Sequence, residues 1–324
     1  MSSRLQQFKQ AAKSAVLVAF GLSLVARTKL SGQGTILTFH GLCADRAPTG
    51  VLDSSLHLPI SVFRAVCEHL RNTCEVMPLR EMVQLLNAGK SLPRSAVAIT
   101  FDDGLGSNFH LGYPVLRELG LPATIFLATG FIDGTHSLWF QEVDRALGAC
   151  GATSAELFER LGQLKALPDA EMRAEAAKLT ADCSAPHPEV TLPMNWNQAR
   201  EMKASGLIEF GGHTHTHPIL ARCTVEQQAE EIRRCRDRIT AELDAAPTLF
   251  AYPNGGPTDL TADTQRLLAE NGFEASFTMM PARLTSGLTT QALPRYGNPT
   301  SVLEAEATVS GAFELLKQWR GGAA

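Results

Sequence analysis

Two adjacent carboxylates follow an apolar segment of the chain. Asp102 and Asp103 come directly after Ala96–Phe101, and a glycine follows them. Adjacent like charges repel, and removing each from water is costly unless a partner compensates it. A bound cation would compensate one carboxylate and leave the other free to act as a base. The same composition also occurs in solvated turns, so the pair alone leaves both interpretations open.

A histidine cluster supplies a second chemically active group. Three of the nine histidines, His213, His215 and His217, fall within residues 211–218. The intervening threonines and the following proline disfavour a helix, so the helical zinc motif H-E-x-x-H does not apply. We expect a loop that points two imidazoles at one ion, and spacing alone does not decide which two. Two imidazoles and a carboxylate leave coordination positions for water and substrate, as metal-assisted hydrolysis requires.

Further polar residues follow other predicted strands. His40 follows the first strand, Asn254 follows a later one, and Arg295 follows the last. The carboxyl ends of parallel strands converge on one face of a barrel, where active sites form. The sequence therefore predicts that these residues share one site with the two aspartates and the histidine cluster.

Short β-branched segments alternate with amphipathic helical segments after residue 33, which predicts an α/β fold with parallel strands and right-handed crossovers. The number of strands suits a barrel better than an open sheet. The predicted strands are Thr35–Phe39, Cys74–Met77, Ala96–Phe101, Ala123–Leu127, Leu207–Phe210, Thr248–Tyr252, Ala275–Thr278 and Gln291–Pro294. The predicted helices are 60–72, 79–88, 112–119, 195–205, 224–244, 260–271 and 302–319.

Residues 141–192 interrupt this alternation. They carry helical patterning at Ala155–Leu167 and Ala170–Leu179 but no strand, and a proline-rich stretch follows. We predict a helical insertion over the mouth or flank of the barrel, within one catalytic domain that spans residues 34–324.

The composition is that of a soluble globular protein, with 44% apolar residues, 19% charged residues and a net charge of −4. No basic run or basic patch with interleaved aromatic residues is present, which argues against nucleic acid as a partner. The seven cysteines are scattered and form no C-x-x-C pair, so we expect reduced thiols and no thiolate zinc site.

Residues 1–33 form a separate N-terminal segment. Basic residues precede the apolar run Ser14–Ala26, as in a signal peptide. The run is shorter than the about 20 residues of a membrane-spanning helix, and Leu24 stands where cleavage requires a small residue. We favour an uncleaved amphipathic helix that packs on the domain or lies on a membrane surface. The expected location is the cytoplasm, with residues 1–30 in peripheral contact with the inner membrane, and export is the alternative.

Three segments together resemble a known family. Thr-Phe-Asp-Asp-Gly, His-Thr-x-Thr-His-Pro and Phe-Ala-Tyr-Pro-Asn-Gly are similar to the successive motifs of the polysaccharide deacetylases, which include NodB-like chitooligosaccharide and peptidoglycan deacetylases. The resemblance extends from about Ile36 to Pro299. It implies a distorted (β/α)7 barrel, a divalent metal that is often zinc, with cobalt, nickel or manganese as alternatives, and removal of N-acetyl groups from a glycan containing N-acetylglucosamine.

The resemblance also assigns roles to individual residues. It implies that Asp103, His213 and His217 bind the metal and that Asp102 is the general base that takes a proton from the attacking water. His215 falls at a variable position of the motif, which resolves the ambiguity that the spacing leaves.

Two positions depart from the family pattern. Many members carry an arginine in the third motif and a histidine in a late motif, where this chain has Ala251 and Arg295. The chain is similar to a branch in which Ile-Leu-Thr-Phe-His, ending at His40, supplies the missing imidazole. We hypothesise that His40 protonates the leaving amine and that Arg295 pairs with Asp102. A structural histidine at a strand end is the alternative for His40.

Substrate contacts are expected from the third motif and from the insertion boundary. The backbone N–H near Asn254 is a candidate oxyanion donor, and Tyr252 is a candidate substrate-binding residue. Trp139 could stack on a sugar ring, as could Trp196, and a core position is the alternative for both.

Two other functions fit part of the pattern. An iron oxygenase with two histidines and one carboxylate would use the same ligands, but it gives the second aspartate no role. A sugar-binding protein that has lost catalysis would explain the two altered motif positions, but the intact ligand set and Asp102 argue against it.

Overall fold

The computed structural model describes residues 13–15, 17–18, 21–46, 48–319 and 321. Seven parallel strands form the central sheet: β1 (Gly34–Phe39), β4 (Glu75–Val76), β5 (Ala96–Phe101), β6 (Ala123–Leu127), β7 (Ile208–Gly212), β8 (Leu249–Ala251) and β9 (Ala275–Phe277). Their order in the sheet is β1-β5-β6-β7-β8-β9, with β4 paired to the start of β5. The short strands β2 (Gly41–Cys43) and β3 (His57–Pro59), which the sequence did not predict, form a second parallel pair.

The segment 293–296 joins the two edges of the central sheet, β9 and β1. The Thr278 N–H donates to the Leu293 carbonyl, and the Tyr296 N–H donates to the Ile36 carbonyl. The prediction of a regular strand at Gln291–Pro294 is wrong, because Thr290–Ala292 forms a 3-10 turn. Pro294 has no N–H to continue a ladder. The result is the distorted α/β barrel that the sequence predicts.

Helices surround the barrel in the order of the chain. They are α1 (Leu22–Lys29), α2 (Ile60–Thr73), α3 (Leu79–Asn87), α4 (Tyr113–Leu119), α5 (Thr129–Ile132), α6 (Trp139–Ala149), α7 (Ser154–Lys165), α8 (Asp169–Thr180), α9 (Trp196–Ala204), α10 (Val225–Leu243), α11 (Ala262–Glu270), α12 (Val302–Val309) and α13 (Ala312–Trp319). The predicted helix 302–319 is divided in two because Gly311 takes the left-handed conformation, with φ 82°.

The barrel is packed on both faces of its strands. Every residue of β1 and β5 is buried, as expected for parallel strands covered by helices. Inside the barrel, Ile36, Phe126 and Phe277 meet in one apolar cluster. Gly211 leaves room for this packing, since a Cβ there would come within 2.5 Å of the Phe126 ring. This rigid interior fixes the strand ends that carry the polar residues.

The helices α6, α7 and α8 lie between β6 and β7 in the chain and form a small core of their own. Trp139, Val143, Leu157 and Met172 are buried in this core. The Asp144 carboxylate accepts hydrogen bonds from the N–H groups of Leu52 and Asp53, both at 2.8 Å. The insertion thus holds the loop that precedes β3.

Residues 1–12, 16, 19 and 20 of the predicted N-terminal segment lie outside the described residues. Its last turns form α1, which packs through Leu22 and Ala26 against α12 and α13. Arg27 forms an ion pair with Glu306 at 2.5 Å. Among the described helices, none has the length and apolar character needed to cross a membrane.

Candidate metal centre and active site

The strand register brings the predicted site residues to one rim of the barrel. Phe39 and Phe101 are partners in β1 and β5, and the Asp102 N–H donates to the Phe39 carbonyl at 3.0 Å. His40 and Asp102 therefore leave neighbouring strands at the same level. On the other side, the His213 N–H donates to the Leu127 carbonyl, also at 3.0 Å, where β7 ends beside β6.

Asp103, His213 and His217 converge at this rim, and all three side chains are buried. The Nε2 atom of His213 lies 3.5 Å from Asp103 Oδ1, and the Nε2 atom of His217 lies 3.2 Å from the same oxygen. One ligand atom from each residue lies within 4.8 Å of the others. Asp103 has φ 72° and His217 has φ 60°, so both depend on the surrounding structure to hold a left-handed backbone.

The donor set fits a divalent cation. Two ligands that bind zinc tetrahedrally at about 2.0–2.1 Å lie about 3.3 Å apart, close to the two observed separations. The His213 Nδ1–H donates to the Ala251 carbonyl at 2.7 Å, which leaves the Nε2 lone pair facing Asp103. Among the described residues, no group donates to the buried Asp103 Oδ1 with hydrogen-bond geometry. A buried acceptor of this kind indicates a missing positive partner.

Opposite charges keep both aspartates ionised. Burial acts to raise the pKa of Asp102, but the Arg295 guanidinium, and the His213 ring when it is protonated, outweigh it, so the pKa is lowered. Burial acts in the same direction on Asp103, and interactions with His213 and His217 hold its pKa well below the ordinary value. For His217, burial dominates and lowers the pKa, which favours the neutral imidazole that a metal requires.

Asp102 forms a bidentate ion pair with Arg295. Both guanidinium Nη atoms donate to the two carboxylate oxygens at 2.8 Å. The Arg295 side chain is fully buried, and its Nε–H donates to the Thr278 carbonyl at 3.2 Å. The pair that the sequence hypothesis invokes is therefore present, and it fixes the plane of the Asp102 carboxylate.

His40 lies beside the two aspartates, half-buried at the end of β1. Its charge contributes to the lowered pKa of both Asp102 and Asp103. The Asn108 Nδ2–H donates to the His40 carbonyl at 2.6 Å, which fixes the backbone. The His40 Nδ1 atom is buried without a partner among the described residues. The imidazole is thus held near the carboxylates without being tied to one of them.

The sequence reasoning did not identify His57. It is paired with Gly41 across β2 and β3, and a Cβ on Gly41 would lie 2.3 Å from its Nδ1 atom. Burial lowers the pKa of His57 to about 4, so the ring is neutral at neutral pH. Its position next to His40 depends on the two short strands, for which the sequence carries no periodic signal.

The structure corrects the expected aromatic contacts. Trp139 is buried inside the insertion, and Tyr252 is buried with its hydroxyl donating to the Gln291 carbonyl at 2.7 Å. Trp196 is also buried, and its Nε1–H donates to Asp133 at 2.6 Å. Phe140 takes the place expected for Trp139, since its ring centroid lies 5.2 Å from that of His217. Adjacent helical residues point about 100° apart, and it is Phe140 that faces the site.

Asn254 is exposed at the rim, with φ 62°. Its Oδ1 atom accepts a hydrogen bond from Lys165 Nζ at 2.8 Å, which links the insertion to this loop. The Asn254 N–H has no acceptor among the described residues. This N–H is therefore available as a hydrogen-bond donor, and Lys165 is a neighbouring cation that the sequence reasoning missed.

Comparison with known proteins gives consistent matches. The family model described as polysaccharide deacetylase matches residues 89–276. YxkH of Bacillus subtilis, which is named for the same family, is 30% identical over 35% of this chain and 38% of its own length. The poly-beta-1,6-N-acetyl-D-glucosamine N-deacetylase of Staphylococcus epidermidis is 22% identical over 76% of this chain and 65% of its own length. The chain thus spans less than two thirds of either curated relative.

A solved structure shows the same fold. The deacetylase PplD of Streptococcus pyogenes, in complex with acetate, superposes with a TM-score of 0.60 at 16% identity. The alignment covers 86% of this chain and 98% of that one.

Proposed function

Because this chain belongs to the polysaccharide deacetylase family, we propose that it is a metal-dependent hydrolase that removes N-acetyl groups from a glycan containing N-acetylglucosamine. The observation that carries the proposal is the convergence of Asp103, His213 and His217 beside the ionised Asp102. The activity in the name of the Staphylococcus relative supports an amino-sugar substrate.

Asp103, His213 and His217 would hold the cation, with zinc as the first candidate and cobalt, nickel or manganese as alternatives. When bound, a divalent cation at this site polarises the acetyl carbonyl and lowers the pKa of water. The chain supplies the remaining chemistry through side chains at the same rim.

Asp102 accepts the proton of the attacking water. Its two oxygens are oriented by Arg295, and each oxygen keeps a lone pair beyond the one that the guanidinium uses. The Asn254 N–H donates to the developing oxyanion, and His40 protonates the amine as the carbon–nitrogen bond breaks. Phe140 closes the His217 side of the site against water.

The direct test is acetate release from N-acetylglucosamine oligomers. We expect the purified protein to release acetate, a chelator to abolish the release, and added zinc to restore it. Stoichiometric zinc binding without acetate release from a panel of acetylated oligosaccharides would favour a sugar-binding protein instead. Oxygen-dependent turnover with iron would favour the oxygenase.

His40→Ala is expected to lower turnover by about 10²- to 10⁴-fold, because the leaving amine loses its proton donor. Bound zinc should stay at the parent level, since His40 is not one of the three candidate ligands. The matched control is His187→Ala, because His187 is half-exposed and, within the described part of the chain, its one ion pair is with Glu142, at 3.5 Å. Full activity of His40→Ala would remove His40 from the mechanism and leave it a structural role.

A further inference from the structure

The loop between the two candidate histidine ligands is held by a carboxylate of α10. Glu231 Oε2 accepts hydrogen bonds from the N–H groups of His215 and Thr216, both at 2.8 Å. Glu231 Oε1 accepts a third hydrogen bond from the Thr216 hydroxyl at 2.7 Å. One side chain therefore satisfies two consecutive backbone donors between His213 and His217.

An arginine of the insertion holds the same loop from the other side. Arg173 Nη2 donates to the Thr216 hydroxyl oxygen at 2.8 Å and to the Thr216 carbonyl at 3.3 Å. The Arg173 Nε–H donates to Asp169 at 2.8 Å, which fixes the guanidinium on α8. The Thr216 hydroxyl thus accepts from Arg173 and donates to Glu231. A continuous chain of hydrogen bonds runs from the insertion to α10 through the loop.

The loop needs this support because its backbone is strained. Thr214 has φ 66° and His217 has φ 60°. Left-handed conformations are unfavourable for non-glycine residues, and they persist only where the surroundings enforce them. The His217 N–H also donates to the Thr214 hydroxyl at 3.0 Å, so the turn that delivers the second ligand is fixed from within and from outside.

We propose that Glu231 and Arg173 are positioning residues for the metal centre, an inference that rests on the proposed function of Asp103, His213 and His217. They set the separation of the two imidazoles through Thr216 and contact no ligand atom. Arg173 belongs to the helical insertion, which lies far from the ligands in the sequence. The insertion therefore helps to position the metal ligands. Partners that hydrogen-bond directly to metal ligands change metal affinity by about 10- to 100-fold when they are removed, and Glu231 and Arg173 act one step further out, through the loop between the ligands.

The test compares neighbouring glutamates on one helix. We expect Glu231→Gln to raise the dissociation constant for zinc by about tenfold and Glu231→Leu by up to about 100-fold. Arg173→Gln should also raise the dissociation constant for zinc. Glu230→Gln is the control, since Glu230 is exposed and its ion pairs among the described residues are with Arg233 and Arg234 on the same helix. Affinity is measured by competition with a chromophoric chelator on the full chain.

Two further readouts separate positioning from a general structural role. The visible spectrum of the cobalt-loaded protein should change in Glu231→Gln and not in Glu230→Gln, because the ligand geometry changes only in the former. In the double variant Glu231→Gln/Arg173→Gln the losses should be less than additive, since both residues act on Thr216. Should Glu231→Leu fail to fold, the two glutamine variants carry the test.

Zinc affinity and cobalt spectra that match the parent in Glu231→Gln and Arg173→Gln would overturn the positioning role and leave the proposed function intact. Failure of the parent chain to bind zinc or cobalt would overturn both.

Discussion

Asp103→Asn is expected to remove the bound cation and to abolish acetate release. Asparagine keeps the shape of the side chain and tolerates the left-handed backbone that Asp103 adopts at φ 72°, so the rim should keep its conformation. The substitution removes the negative charge that the cation requires. Loss of several kcal/mol of transition-state stabilisation corresponds to about 10³-fold or more in turnover.

The measurement pairs metal content by mass spectrometry with acetate release. Asp182→Asn is the matched control, because Asp182 is exposed and lies beyond the end of α8. We expect the control to keep both zinc and activity. Retention of zinc and turnover by Asp103→Asn would rule out the ligand set.

Asp102→Asn is expected to lower turnover by about 10²- to 10⁴-fold while zinc binding is retained, because the proton acceptor is lost and the ligands stay. The same change leaves the buried Arg295 guanidinium without its anionic partner. Removing one member of a buried ion pair costs about 3–5 kcal/mol of stability. Activity and stability must therefore be measured together, by acetate release and by denaturant unfolding.

The double variant Asp102→Asn/Arg295→Met separates the two effects. Replacing both charges removes the unpaired guanidinium, so we expect most of the lost stability to return. Turnover should stay as low as in the single variant. Recovery of activity together with stability would show that Asp102 serves the fold and not the reaction.

The barrel and the family could be predicted from the sequence, and both predictions are confirmed. Buried parallel strands appear in the sequence as separate apolar segments. Their carboxyl ends lie on one face of the barrel, so the polar residues that follow them come together there. This is why Asp102, Asp103 and the histidine cluster could be placed together without coordinates. Their roles in binding and catalysis stay predictions until the variants are measured.

The contacts that depend on tertiary structure could not be predicted. Trp139 and Phe140 are adjacent and both aromatic, and only the packing of α6 decides which of them reaches His217. His57 reaches the site through a pair of three-residue strands, which are too short to show a period. Glu231 lies on the polar face of a long helix. A glutamate at such a position is normally exposed to solvent, so its type alone gives no sign of a role in the site.

Arg295 lies on the segment 293–296 that joins β9 to β1, so the counter-charge of Asp102 is carried by an irregular stretch of the barrel wall. A local opening that breaks the bond from Tyr296 to the Ile36 carbonyl also withdraws the guanidinium from Asp102. The expected consequence of such an opening is that acetate release is lost at a lower temperature than the one at which the whole barrel unfolds. The contacts of 293–296 with the two strands therefore bear directly on the ion pair between Arg295 and Asp102.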